Sequence, residues 1–205
     1  VRLLLFTLVM GFVPLRLHAT HIIGGELYYT SVGNDDYEVT LKIYRDCGPN
    51  NTNGTGFDAS VEIGVFDANG GYLFSEFFAF PGATNVPVVL NNPCLTPPTW
   101  ICVEEAEYAG IIQLPSGTGG YILSYQRCCR TPTILNLFTP GNQGITCTVE
   151  VPDVNLTGAN SSPRFTTYPP IALCANQPMT FDHSATDPDG DVLTYELAEP
   201  YSGAN

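Results

Sequence analysis

The feature that most constrains the fold is a series of short segments in which apolar and polar residues alternate. The clearest segment is 37–44, in which every second residue is apolar. The apolar residues are Tyr37, Val39, Leu41 and Ile43, and they alternate with Glu38, Thr40, Lys42 and Tyr44. Successive side chains of a strand point to opposite faces, so this alternation predicts a strand with one buried face. Comparable segments recur from residue 26 to residue 151, among them separate strands expected at 100–108 and 110–114. Turn sequences such as Asn34-Asp35-Asp36 and Asn69-Gly70-Gly71 lie between segments. The pattern predicts an all-β fold, an antiparallel β-sandwich, with a closed barrel as the alternative.

Composition divides the chain into four parts. In residues 1–19, Arg2 precedes the apolar run 3–13 and a small residue, Ala19, which is typical of a signal peptide; an N-terminal membrane anchor is the alternative. Residues 20–151 hold the predicted sandwich domain. Small and polar residues dominate 152–163, which predicts a linker. Residues 164–205, including strands predicted at 179–183 and 192–197, have room for only about three of the roughly seven strands of a sandwich. They therefore predict the start of a second, incomplete β domain.

The charge balance excludes one class of partner. The chain has 7 Lys and Arg residues against 20 Asp and Glu residues, a net charge of −13. Nucleic acid binding requires basic patches that neutralise phosphates, so we expect no nucleic acid partner. An acidic surface is suited to solubility outside the cell and to cation binding. No second long apolar run follows residue 19, so we expect no transmembrane segment in the mature chain.

Seven cysteines in a chain with an export signal predict disulfides. Zinc is the rival interpretation, but the sequence contains no CxxC pair. A disulfide between Cys94 and Cys102 would close the Pro-rich loop between them. Cys128 and Cys129 are neighbours on a predicted strand, so we expect them to point to opposite faces and to have different partners. Cys174 is positioned to tie the second unit to the first.

A dense group of aspartates near the end of the chain predicts a cation site. In Asp187-Pro188-Asp189-Gly190-Asp191, the Pro fixes one torsion and the Gly permits a positive φ, so the carboxylates can converge. Asp182 lies five residues earlier and is the fourth candidate ligand. Calcium, a hard cation with oxygen ligands, is the predicted metal. A polar hairpin turn without metal is the alternative, since Asp-Gly is itself a strong turn signal.

The sequence favours a protein without catalytic chemistry. Asp182, His183 and Ser184 have the residue types of a hydrolase triad, but direct neighbours on one strand cannot adopt that geometry. Trp100, Tyr108 and Tyr121 are aromatic residues that, if exposed, would stack on sugars. Packing in the sandwich core is the preferred interpretation of these three side chains.

Several stretches together resemble a known group of proteins. They are ATHIIGGEL (19–27), YRDC (44–47), LSYQRCCR (123–130), NSSPRF (160–165) and DHSATDPDGD (182–191). The set resembles the N-terminal region of large secreted surface proteins of Bacteroidetes, of the gliding-motility-associated or PKD-domain-containing type. The last stretch is similar to calcium-dependent cadherin-like Ig repeats, which implies that the incomplete domain 164–205 is Ig/cadherin-like.

The resemblance implies a non-enzymatic structural or adhesive module of a large multidomain surface protein. Its expected partners are extracellular surfaces, glycans or other surface proteins. A carbohydrate-binding accessory region of a secreted enzyme is the alternative. Cys147 is the cysteine that the resemblance accounts for least, which leaves six disulfide candidates: Cys47, Cys94, Cys102, Cys128, Cys129 and Cys174.

Overall fold

A computed structural model describes residues 22–49, 56–88, 96, 98, 100–117, 119–131, 134–174 and 176–201. It confirms the all-β prediction. Eight strands form the sandwich: β1 (Ile22–Gly33), β2 (Asp36–Asp46), β3 (Ser60–Asp67), β4 (Tyr72–Ala79), β5 (Thr84–Asn85), β6 (Val103–Gln113), β7 (Tyr121–Cys128) and β8 (Gly144–Val151). A 3₁₀ turn spans Pro140–Asn142 and a four-residue helix, α1, spans Val154–Thr157. Two short strands follow, β9 (Arg164–Phe165) and β10 (Ala185–Thr186).

The eight strands form two antiparallel sheets of four strands each. Sheet A has the order β1-β2-β6-β5, and sheet B has the order β4-β3-β7-β8. The sheets pack face to face, with β1 against β8 at one side and β4 against β6 at the other. Strands β9 and β10 form a separate antiparallel pair. The architecture is therefore a sandwich of two sheets, as the alternating pattern predicts.

The core lies between the inward faces of the two sheets. On β2 the predicted apolar set is buried, with Val39 and Leu41 fully inaccessible to solvent. Ile63 and Val65 of β3 and Leu123 of β7 meet them from sheet B and are equally inaccessible. Burial of each such side chain contributes about 1.5–3 kcal/mol to folding. The period-two pattern thus predicts correctly which face of these strands is buried.

The turn between β1 and β2 shows why its residues form a tight hairpin. Asn34 and Asp35 both have positive φ, 57° and 62°. Two consecutive left-handed residues match the twist of the flanking strands, and Asn and Asp tolerate this conformation better than most residues. The predicted turn at residues 34–36 is confirmed, and so is the hairpin turn at Asn69-Gly70-Gly71, where Gly70 has a φ of 83°.

One predicted strand break is wrong. Two separate strands are expected at 100–108 and 110–114, but β6 runs without interruption through Gly110, which pairs with Val39 of β2. Gly110 faces the interior. A Cβ atom at this position would lie 2.3 Å from Cε1 and 2.4 Å from Cδ1 of Phe78 on β4. The glycine therefore gives the Phe78 ring its space between the sheets and does not end the strand.

The C-terminal part has fewer strands than predicted. Within the described residues after 163, the regular elements are β9 and β10, and the expected strands at 179–183 and 192–197 are absent. Val192 and Leu197 are almost fully exposed. A strand forms only where a neighbouring strand accepts and donates its backbone hydrogen bonds, and no strand among the described residues pairs with 192–197. This segment makes a contact through a side chain instead: the Tyr195 hydroxyl accepts a hydrogen bond from the Ala185 N–H at 2.9 Å. Alternation alone was therefore insufficient to predict these strands.

Candidate functional site

The predicted linker is attached to the edge of sheet A. Ser162 is buried, and its Oγ accepts a hydrogen bond from the Tyr29 backbone N–H at 2.8 Å and donates one to the Tyr29 carbonyl at 3.2 Å. The Ser162 N–H also donates to that carbonyl at 3.0 Å. Tyr29 lies on β1, an edge strand whose outer backbone groups have no further strand to pair with. One serine thus satisfies both backbone groups of Tyr29.

The aspartate motif approaches the same place. The Oδ2 of Asp189 accepts a hydrogen bond from the Ser161 N–H at 2.6 Å, and the Ser161 Oγ accepts one from the Ser31 N–H at 3.3 Å. Burial is the main reason why the pKa of Tyr29 is raised, and the carboxylates of Asp189 and Asp187 add to the shift. The chain therefore contacts β1 through Ser161 and Ser162, and Asp189 binds the outer side of that contact. We call these three residues and Tyr29 the junction clamp.

Within the motif, Asp187 organises the turn. Its Oδ1 accepts hydrogen bonds from the backbone N–H groups of Asp189 at 2.8 Å and of Asp191 at 3.2 Å. Gly190 has a φ of 84°, so the permissive residue is used as the sequence predicts. Asp182 makes a similar local contact and accepts a hydrogen bond from the Ser184 N–H at 3.0 Å. The motif is thus a polar turn held by hydrogen bonds from its own backbone to the Asp187 carboxylate.

The geometry gives the calcium prediction no further support. In the part of the chain that the structure describes, no three His, Cys, Asp or Glu side chains are grouped as a metal site requires. Asp187 and Asp189 direct oxygens at backbone N–H groups, whereas calcium takes six to eight oxygen ligands. Calcium at Asp182, Asp187, Asp189 and Asp191 therefore stays a prediction.

A second set of contacts holds the C-terminal segment against the outer face of sheet A. The guanidinium of Arg164 lies over the Tyr28 ring, 4.8 Å from its centroid, and hydrogen-bonds the Thr30 hydroxyl. The Tyr168 hydroxyl donates to the Glu105 carboxylate, at 2.9 and 3.0 Å from its two oxygens. Burial raises the pKa of Tyr168, and this hydrogen bond raises it further. Sequence reasoning missed Tyr168 and Glu105, because 63 residues separate the partners.

The disulfide near this sheet follows from strand register. Cys47 follows the last residue of β2 and Cys102 precedes the first residue of β6, where Asp46 pairs with Val103. The Cys47 N–H donates to the Cys102 carbonyl at 3.0 Å, and the two side chains form a disulfide. The expected closure of a loop by Cys94 and Cys102 is therefore wrong for Cys102. Cys94 lies outside the described residues.

The other cysteines also differ from expectation. Cys128 and Cys129 are bonded to each other, so the prediction of separate partners is wrong. Alternation of side-chain direction holds only inside a strand, and β7 ends at Cys128. Cys174 has a free, half-buried thiol and does not tie the two parts of the chain together. Cys147 also has a free thiol, and burial raises its pKa to about 11.

Two of the three aromatic candidates belong to the core. Tyr108 and Tyr121 are buried, and their hydroxyls donate to the carbonyls of Asp58 at 2.8 Å and of Pro115 at 2.6 Å. Burial is the main cause that raises the pKa of Tyr108 to about 12. Trp100 is 60% exposed. The preference for core packing is confirmed for the two tyrosines and is wrong for Trp100, whose side chain lies on the surface.

Comparisons with known proteins give no relative: no protein-family model, no curated protein and no solved structure matches the chain. Among the described residues, no helix has the length and apolar character needed to cross a lipid bilayer.

Proposed function

We propose that this chain is a non-enzymatic structural and adhesive module of a large extracellular surface protein. In this role the sandwich is a rigid body, and the segment after it continues toward further parts of the protein. The observation that carries the proposal is the junction clamp, because Ser162 and Asp189 connect that segment to the edge of the sandwich. A structural module needs such a connection to keep a defined angle at its exit.

The chemistry of the chain supports a location outside the cell. The disulfide between Cys47 and Cys102 persists in oxidising compartments and is reduced in the cytosol. A net charge of −13 keeps a secreted protein soluble and discourages binding to other anionic molecules. The resemblance to Bacteroidetes surface proteins points in the same direction.

Local contacts support a role without catalysis. The His183 ring stacks near Phe165, with centroids 4.3 Å apart, and near Phe181, at 5.5 Å. Asp182 accepts a hydrogen bond from the Ser184 N–H, so these neighbours form a local turn. A relay for nucleophilic attack requires the imidazole to bond both the acid and the nucleophile. Here the His183 ring packs on two phenylalanines and the Asp182 carboxylate holds a turn.

Hydrogen exchange tests the structural role. Ser162→Ala leaves the buried Tyr29 N–H without an acceptor, which costs about 1–3 kcal/mol. We expect the Tyr29 amide to exchange about 10- to 100-fold faster and proteases to cut residues 164–201 sooner. Ser116→Ala, at an exposed serine, is the matched control. Equal exchange at Tyr29 and equal cleavage in wild type and Ser162→Ala would contradict the proposal. A reduced Cys47–Cys102 pair in the natural protein would contradict the extracellular location.

A further inference from the structure

The outer face of sheet B contains a groove of about 470 Å³. Its shape follows from the outward positions of three adjacent strands. Ser75 of β4 pairs with Gly64 of β3, and Gly64 pairs with Ser124 of β7, so the middle row has only small side chains. Larger residues flank this row on both sides. The volume falls within the range of roughly 300–1,000 Å³ that is usual for small-ligand sites.

One wall of the groove is an aromatic corner. The Phe66 ring lies over Gly64, since a Cβ atom at Gly64 would be 2.9 Å from Phe66 Cε2 and 3.3 Å from Cζ. Tyr72 meets Phe66 edge to face, with centroids 5.6 Å apart and an interplanar angle of 72°. The Tyr72 hydroxyl is hydrogen-bonded to the Ser75 hydroxyl at 3.0 Å. Gly64 therefore allows an aromatic ring to lie along the sheet, where its face is available to a ligand.

The opposite wall combines an aromatic ring with polar groups. Phe77 is 65% exposed and pairs with Glu62. Glu62 and Gln126 are both exposed, and neither side chain has a hydrogen-bond partner among the described residues. Arg127 and Asp58 form an ion pair of 2.8 Å at the end of the groove. The groove thus offers an acceptor at Glu62 and both a donor and an acceptor at Gln126.

We propose that this groove binds a short neutral oligosaccharide through stacking on Phe66 and Phe77 and hydrogen bonds to Glu62 and Gln126. A pyranose ring has an apolar C–H face, which packs on aromatic faces, and a rim of hydroxyls that donate and accept hydrogen bonds. This combination matches the alternation of rings and polar side chains along the groove. The site is on sheet B and does not include Trp100, Tyr108 or Tyr121.

Other ligand classes fit the groove less well. A peptide strand needs free backbone groups, but β3 is paired on both sides by β4 and β7. A purely apolar ligand would strip water from Glu62 and Gln126 without replacing their hydrogen bonds. An anionic polysaccharide would meet the Glu62 carboxylate in a chain of net charge −13. A neutral sugar needs no free backbone groups, can hydrogen-bond Glu62 and Gln126, and carries no charge for Glu62 to repel.

Titration of the full chain tests the assignment. The probes are cellohexaose, laminarihexaose, mannohexaose and xylohexaose, with oligogalacturonate as an anionic comparison, and binding is measured by calorimetry at millimolar concentration. We expect at least one neutral probe to bind. Phe66→Ala and Phe77→Ala should each weaken that binding about tenfold, since the loss of an aromatic contact is worth up to about one factor of ten. Trp100→Ala should leave it unchanged.

A second variant removes the groove by a different route. Gly64→Ala places a methyl group where the Phe66 ring lies, so the ring has to move and binding should be lost. Circular dichroism checks that each variant remains folded. The proposal is overturned if no neutral probe binds, if only oligogalacturonate binds, or if Trp100→Ala weakens binding as much as Phe66→Ala. The inference extends the adhesive part of the proposed function but is independent of the junction clamp, which amide exchange at Tyr29 tests separately.

Discussion

Substitution of Gly110 by alanine tests how closely the two sheets approach each other. The added methyl carbon would lie 2.3 Å and 2.4 Å from two carbons of the Phe78 ring. Carbon atoms that are not bonded prefer separations of about 3.5–4.0 Å, so both contacts overlap by more than about 1 Å. Phe78 is only 5% exposed and is confined between the sheets. The ring therefore cannot move away without disturbing its neighbours.

The size of the effect follows from two opposing contributions. Overpacking of a core costs about 1–3 kcal/mol, and the severity of these contacts places Gly110→Ala toward the upper end. Glycine in a strand is itself less favourable than alanine by about 0.5–1 kcal/mol, because it loses more conformational freedom on folding. We expect Gly110→Ala to lower the free energy of unfolding by about 2 kcal/mol. In a Phe78→Ala background the clash is gone, so Gly110→Ala should raise the free energy of unfolding by about 0.5–1 kcal/mol.

Urea unfolding of the four proteins of this double-mutant cycle measures the change. The cycle should give a coupling free energy of about 3 kcal/mol between positions 110 and 78. Gly24→Ala on β1 is the matched control, because a Cβ there would be 3.7 Å from Tyr44, an ordinary contact. A clash with Phe78 is contradicted if the Gly110→Ala protein is as stable as wild type. It is also contradicted if Gly110→Ala destabilises the Phe78→Ala protein as much as it destabilises wild type.

Three further predictions concern the cysteines and the aspartates. Replacing Cys47 and Cys102 by serine should lower the free energy of unfolding by about 4 kcal/mol, since the disulfide joins residues 55 positions apart. Cys174→Ser should have little effect. An unchanged urea midpoint in the double variant would contradict this prediction. Burial raises the pKa of Cys147 from 9.0 to about 11, so its stabilising contribution is complete below pH 9 and is lost as the pH rises toward 11. The stability advantage of wild type over Cys147→Ala should therefore shrink over that interval, and a constant difference would disagree. If calcium binds the aspartate motif, a calcium concentration 100-fold above Kd should stabilise the protein by about 2.7 kcal/mol. Asp187→Asn should abolish the resulting rise in Tm. An unchanged Tm in wild type on addition of calcium would contradict calcium binding.

Much of the sandwich is predictable from local pattern. The buried face of β2 follows from alternation at Val39 and Leu41, and the hairpin after β1 follows from Asn34 and Asp35. The strand break predicted at Gly110 is wrong because a glycine within a strand can mark either a break or the close approach of another element. Only the position of Phe78, on a strand of the other sheet, decides between them.

The candidate site was less predictable, because its contacts join residues that are distant in sequence. Ser162 and Tyr29 are 133 positions apart, and Asp189 meets Ser161 across 28. The composition of 152–163 is typical of a linker, yet Ser161 and Ser162 are buried, since small polar side chains are well suited to bond backbone groups. The groove on sheet B likewise depends on the register that aligns Ser75, Gly64 and Ser124.

The contacts along β1 also protect the protein from its own copies. An open strand edge is a template on which another chain can add a strand, and this is a common route to aggregation. Ser162 covers this edge at Tyr29. At the start of the strand, Arg130 forms a β-bridge with Ile22, and the Thr131 N–H donates to the Ile22 carbonyl at 3.4 Å. The chain itself therefore occupies outer backbone groups at Ile22, Tyr29 and Ser31, which leaves less of the edge free for another chain. Loosening of Ser162 would thus have a second effect besides greater flexibility: it would expose the Tyr29 backbone groups, through which a neighbouring molecule can pair.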